Sequence, residues 1–160
     1  MKVFSEHGEF LFQFDPIDRE TRLFAPNQLT INATAEEAYI TDAYYRHRVW
    51  IFSTSGEFRR HFGFDQCHTA EGIVVHPHTQ EIIVASLRHS LQVLDRRGNL
   101  LRTFDNQACG DKAFYVAQGL CADSTSGYVM VADSCNDRVC MTSRVVGVKN
   151  CSCSCDASRA

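Results

Sequence analysis

Three groups of side chains in this sequence are of types able to do chemistry: the cysteines, the histidines, and an Asp and Arg that recur at a short spacing. Cys151, Cys153 and Cys155 form CSCSC in a Ser-rich stretch, and Cys-x-Cys on an extended segment places alternate side chains on one side, as a soft metal ion requires. No His lies nearby to complete a four-ligand set, so the stretch reads as a disordered tail and no metal is expected. Cys67, Cys109, Cys121, Cys135 and Cys140 are scattered and read as reduced buried or loop side chains, because neither a secretory start nor a short disulfide scaffold is present. Among the histidines, His76 and His78 flank a turn in HPHTQ, and His7 lies in the Glu6-His7-Gly8 turn. His47 and His89 fall in loops, His61 at a strand end and His68 in a connection. No three recur at matching positions, and no G-x-S-x-G elbow accompanies the many Ser and Cys residues, so the reading assigns no catalytic residue, no metal and no cofactor.

The third group has a structural meaning. Asp42 precedes Arg48 and Asp133 precedes Arg138 at similar spacing, while the intervening stretch has Ser86 and Ser90 instead. Both partners change together. That suits a buried or half-buried ion pair in each case, since removing one partner alone leaves an uncompensated charge costing roughly 3 to 5 kcal/mol.

The elements that position these residues follow from composition and repetition. The chain has 160 residues, 44% of them hydrophobic, with eleven Phe, five Tyr and only three Pro, a bias toward strands because aromatic and β-branched side chains fit a pleated surface. No apolar stretch approaches the roughly 20 residues that cross a bilayer, and MKVFSEHGEF carries no apolar signal core, so no membrane association and a cytoplasmic location are expected. A net charge of -3 offers no general attraction for nucleic acid but leaves a local basic face open.

Sliding the chain along itself decides the fold. KVFSEHGEFLFQF realigns with VWIFSTSGEFRRHF and LQVLDRRGNLLRTF, with Gly8, Gly56 and Gly98 in register in short polar breaks that read as hairpin turns. A second hairpin recurs: QLTINATAEEAYITDA upstream of the Gly56 hairpin, GIVVHPHTQEIIVAS upstream of the Gly98 hairpin, and GLCADSTSGYVMVADS after them. Equivalent glycines are 42 to 48 residues apart. Four short strands at that period predict an all-β fold of four-stranded antiparallel propeller blades.

ITDAYYRHRVWIF and VMVADSCNDRVCM resemble the NHL repeat, whose core reads roughly apolar-x-V-A-D-S-x-N-x-R-V-x-V-F; the resemblance covers Lys2 to about Met141. It implies an NHL-type β-propeller segment similar to the C-terminal propeller of TRIM-NHL proteins, divided into 1–14 (partial blade), 15–63, 64–105 and 106–142 (truncated blade), with 143–160 as the Cys/Ser-rich tail. In that family the propeller binds protein or single-stranded RNA partners and is joined to RING and B-box ubiquitin ligase parts, of which this chain shows no C-x-x-C pair. Propellers similar in repeat also include zinc-dependent lyases, and the scatter of the histidines speaks against that alternative and against a hydrolytic one. The resemblance therefore implies a partner-binding module rather than an enzyme.

One edge of the blades collects the loops between second and third strands and the connections between blades. There the reading places Tyr44, Tyr45, Arg46, His47, Arg88, His89, Lys112, Phe114 and Tyr115 as a binding face, a mix that suits base stacking with phosphate contacts and protein hot spots alike. With fewer blades than the roughly four to eight of closed propellers, the segment is expected to be open and to self-associate through its ends. Replacing Arg46 and Arg88 together by Glu is expected to weaken partner binding while leaving the melting temperature unchanged, because exposed loop charges contribute little to folding; thermal denaturation monitored by circular dichroism checks the second half.

Overall fold

The structure is a computed structural model that describes residues 1–14, 23, 25–43, 47–63, 70–86, 89–104 and 114–142. Its strands form four antiparallel sheets in chain order. β1 (Lys2–Phe4) pairs with β2 (Phe10–Gln13). β3 (Pro26–Asn32), β4 (Glu37–Asp42), β5 (Arg48–Ser53) and β6 (Phe58–Gly63) form the second sheet, and β7 (Ala70–Val75), β8 (Ile82–Ser86), β9 (Ser90–Leu94) and β10 (Leu100–Phe104) the third. β11 (Ala117–Ala122), β12 (Val129–Asp133) and β13 (Arg138–Thr142) make the fourth sheet, three-stranded among the described residues. The fold is thus all-β, a propeller segment whose sheets are blades, and none of them closes into a barrel.

Burial follows from each strand's place in its blade. The middle strands β4, β5, β8 and β9 are buried on both faces, because a neighbouring blade covers each side; hence their near-continuous apolar runs. The outer strands β6 and β10 alternate between exposed and half-buried positions and carry the charged residues. Three apolar clusters result, one between each pair of successive sheets. Phe52, Ile40 and Trp50 meet Met1 and Phe14. Tyr39, Val49 and Ile51 meet Ile73, Ile82 and Val84. Val74, Ile83, Leu91 and Val93 meet Phe114, Leu120 and Val131.

Two close approaches set the distance between blades. On the inner strands, a Cβ added at Gly72 would lie 2.3 Å from the Gln118 carbonyl oxygen and 3.0 Å from Gln28 Oε1, so only glycine lets β7 nestle between its neighbours. At the outer rim, the hairpin glycines Gly56 and Gly98 adopt φ of 93° and 88°, and a Cβ there would strike the ring of the preceding blade's Phe14 at 2.7 Å and Phe62 at 2.4 Å. The turn thus requires glycine twice over, for its left-handed backbone and for the ring that lies on it.

Sequence analysis singled out neither member of a second repeating device. Glu37 at the start of β4 accepts hydrogen bonds from Arg60 of β6 at 2.6 and 3.2 Å, and at the equivalent place Glu81 accepts one from Arg102 of β10 at 2.6 Å. Each is a strap across the intervening third strand. Glu37 also accepts the Tyr39 hydroxyl at 2.6 Å and lies 3.6 Å from Arg96 of the next blade. Burial by itself would raise the Glu37 pKa, but the Arg60 and Tyr39 hydrogen bonds and the charges of Arg60 and Arg96 outweigh it and hold it down at about 2. A depressed folded-state pKa contributes stability that is fully present above the ordinary value of 4.5 and is lost as pH falls toward 2. Glu37→Gln is therefore expected to cost about 2 kcal/mol at neutral pH, allowing for solvent screening of the partly exposed Arg60, and to flatten the loss of stability in that acid window; urea melts at a series of pH values check both.

Candidate partner-binding face

The face begins where the inner strands begin. Pro26 pairs with Asp42 and Ala117 with Asp133, so the starts of β3 and β11 lie at the same edge as the loops that leave β4 and β12. Asn27, Glu71 and Gln118 occupy the second position of β3, β7 and β11, and with Gln28 and Gly119 they line a polar cavity of about 300 Å³ at the mouth of the inner strands. The Asn27 amide donates to the carboxylate and the carbonyl of Glu71, while Ser134 Oγ donates to Gln118 Oε1 at 2.8 Å. Beneath them the Gln28 amide spans three blades: Nε2 donates to the Leu120 carbonyl at 2.8 Å, and Oε1 accepts the backbone N–H of Ile73 at 2.8 Å. Sequence reasoning passed over all of these. Their signal was only a recurrence of polar residues just before the apolar part of each first strand.

Farther out, Asp133 holds the interblade connection in place. Its Oδ1 accepts the backbone N–H of Tyr115 at 2.8 Å, and its Oδ2 accepts Asn136 Nδ2 and Arg138 Nε, each at 2.8 Å. The carboxylate is fully buried. Burial would raise its pKa, but the Asn136 amide, the Tyr115 N–H and the Arg138 guanidinium prevail and lower it. A 3₁₀ turn over Ser134–Asn136 and a left-handed Asp137 (φ 51°) bring Asn136 and Arg138 back onto the same carboxylate. The Asp-x-x-Asn-x-Arg spacing is thus the span of one tight turn.

Asp42 stands at the equivalent place, fully buried, with Oδ1 accepting the Ala25 N–H at 3.0 Å. Its partner in register is Arg48, yet no ion pair between the two is found among the described residues; Arg48 Nη1 instead lies 3.3 Å from His61 Nε2. The expected Asp42–Arg48 pair is corrected accordingly: the Arg48 guanidinium turns along the sheet to the imidazole of His61 on β6.

Of the residues expected on the face, the structure brings His89 and Tyr115 together as stacked rings, 5.0 Å between centroids and 8° between planes, one from each of two successive blades. Tyr115 is 56% exposed. His47 and His89 hold equivalent left-handed positions (φ 46° and 62°), and the Nδ1 of each is buried without a hydrogen-bond partner. Phe114 departs from the expectation: it is 1% exposed and belongs to the core between the third and fourth blades, because the connection entering β11 must plug the gap beside Ile83 and Leu91. Tyr44, Tyr45, Arg46, Arg88 and Lys112 lie outside the described residues. On the opposite edge, His76 Nε2 donates to the Gly127 carbonyl of the next blade at 2.9 Å and His76 Nδ1 accepts the Thr79 N–H of its own hairpin at 3.2 Å, so both ring nitrogens are engaged, one of them between blades.

Strand order, blade period and the Asp133 turn define a propeller segment built of NHL-like repeats. No protein-family model matches the chain. Over 105 residues, 65% of its length, it is 26% identical to "Protein brain tumor" from Drosophila melanogaster, and it spans about 10% of that curated relative's length.

Asp133→Asn replaces an acceptor by an N–H₂ group against the buried Arg138 and Asn136 donors. The expected cost is about 3 kcal/mol of stability, with the Tyr115 ring resonances losing the shift imposed by stacking on His89; denaturant melts and NMR of the aromatic region check this.

Proposed function

We propose that this chain is a recognition module whose loop-bearing edge binds a protein partner, and that it serves as the substrate or adaptor recognition part of a TRIM-NHL-like protein in the cytoplasm, with any ubiquitin ligase chemistry residing elsewhere than in residues 1–160. The observation that carries the reading is the exposed Tyr115 ring, stacked on His89 and fixed from behind by Asp133, beside a mouth of amides. A rigid, half-exposed tyrosine is the type of anchor that dominates protein interfaces, since it presents a large amphipathic surface at little entropic cost. Side-chain amides at the mouth suit the alternating donors and acceptors of a peptide backbone. The Glu71 carboxylate at the same mouth repels phosphate, which disfavours single-stranded RNA as the occupant of this part of the face.

Peptides selected from a random library on the immobilised chain test the reading. They are expected to lose roughly tenfold or more in affinity on Tyr115→Ala, while single-stranded RNA shows no binding at low salt. RNA affinity that is measurable at low salt, falls steeply as salt rises and is lost with Tyr115→Ala overturns the protein reading in favour of RNA.

A further inference from the structure

Hydrogen-bond accounting at the mouth of the inner strands leaves a specific remainder. The Asn27 amide nitrogen donates to the Glu71 carbonyl and carboxylate, so the Asn27 Oδ1 beside it is turned away from these acceptors and receives no bond among the described residues. Glu71 Oε1 receives none there either. Glu37, Glu81 and Asp133 are each held by an arginine of their own blade, whereas Glu71 meets no Lys or Arg among the described residues. Across the mouth, the Ser134 hydroxyl occupies Gln118 Oε1, while Gln118 Nε2 has no acceptor among the described residues. Gln28 is committed through both ends of its amide, which fixes the floor. The polar cavity of about 300 Å³ thus has a carboxylate and an amide oxygen side by side on one wall and an amide nitrogen on the other.

We infer that this mouth takes the guanidinium group of an arginine presented by the protein partner. The occupant rests on the reading of the loop edge as a protein-binding face; the chemistry rests on the mouth alone. A guanidinium has donors only, set in a planar fork, so it can bond Glu71 Oε1 and Asn27 Oδ1 together. A lysine ammonium is a compact point charge and gains nothing from the paired arrangement. Glu71 is half-buried in the wall of a cavity, where an ion pair is screened less than on open surface. Gln118 Nε2 is then left for a backbone carbonyl of the same peptide. Gly72, next in the chain to Glu71, lies against the Gln118 carbonyl, and Tyr115 is three residues before Gln118, at most about 10 Å away. One extended peptide therefore reaches both points, its arginine in the mouth and an apolar side chain on the Tyr115 ring about three residues away.

NMR titration of the full 160-residue chain with acetyl-arginine amide is expected to shift the backbone amide resonances of Glu71, Gly72 and Gln118. Acetyl-citrulline amide, of nearly the same shape but uncharged, is expected to leave them in place, and an equal response to both probes overturns the inference. Peptides selected from the random library are expected to carry an arginine, and replacing it by citrulline to weaken binding roughly tenfold or more. Glu71→Gln keeps an acceptor for Asn27 and is expected to retain the parental circular dichroism spectrum while abolishing the difference between the arginine and citrulline peptides. Should that variant unfold, the exchange of arginine for citrulline or lysine in the peptide carries the test on the parental chain. Peptides that depend on Tyr115 yet carry no arginine, or that accept citrulline or lysine in its place without loss, overturn the inference and leave the protein-binding reading standing. Shifts by acetyl-arginine amide that vanish in Glu71→Gln support the guanidinium site even where the library yields no peptide, and the reading that then fails is that of the protein partner.

Discussion

The approach of the three inner strands to one another governs the rest of this molecule. β7 fits between β3 and β11 only because position 72 has no side chain, and the Gln28 amide of β3 then bonds the backbone of β7 at Ile73 and of β11 at Leu120. The inner strands could not keep this spacing if position 72 gained a side chain, since a Cβ there would lie 2.3 Å from the Gln118 carbonyl oxygen. The amide also satisfies the backbone N–H of Ile73, which has no partner strand on that side. A polar side chain thus serves here as the inner seam of an otherwise apolar stack.

Farther from the axis, three devices recur, two of them holding a neighbouring blade or its connection and one holding the strands of a single blade together. A Phe at the end of one blade's outer strand lies on the glycine of the next blade's hairpin. A Glu at the start of a second strand is strapped by an Arg of the fourth strand. An Asp at the end of a second strand clips the incoming connection. The third blade has Ser86 at that last position.

The same devices commit buried carboxylates at both edges to structural bonds. Each buried carboxylate described here is committed to backbone N–H groups or to Arg, with its pKa lowered at Glu37 and Asp133, so neither is poised to exchange a proton near neutrality. His76 is likewise engaged through both ring nitrogens. Among the described residues the loop edge presents a stacked aromatic pair and a mouth lined by the Asn27, Gln28 and Gln118 amides and the Glu71 carboxylate, groups that recognise shape and hydrogen-bonding pattern.

The sequence by itself determined the blade period, the hairpin glycines and the strand-by-strand architecture, because turn chemistry and two-residue alternation are local and recur every 42 to 48 residues. It also held the spacing from Asp133 to Arg138, which a single tight turn spans. Contacts between strands that are not neighbours in sequence were decided by tertiary structure alone. Glu37 and Arg60 meet across a strand that separates them, and Gln28 meets Leu120 from 92 residues away, distances at which no periodicity points to a partner. Likewise Phe114 and Tyr115 are adjacent aromatics in one connection, and their composition marks both equally for a surface or a core. The path of the chain into β11 turns one ring between two blades and the next onto His89, because adjacent side chains of an extended segment point to opposite sides.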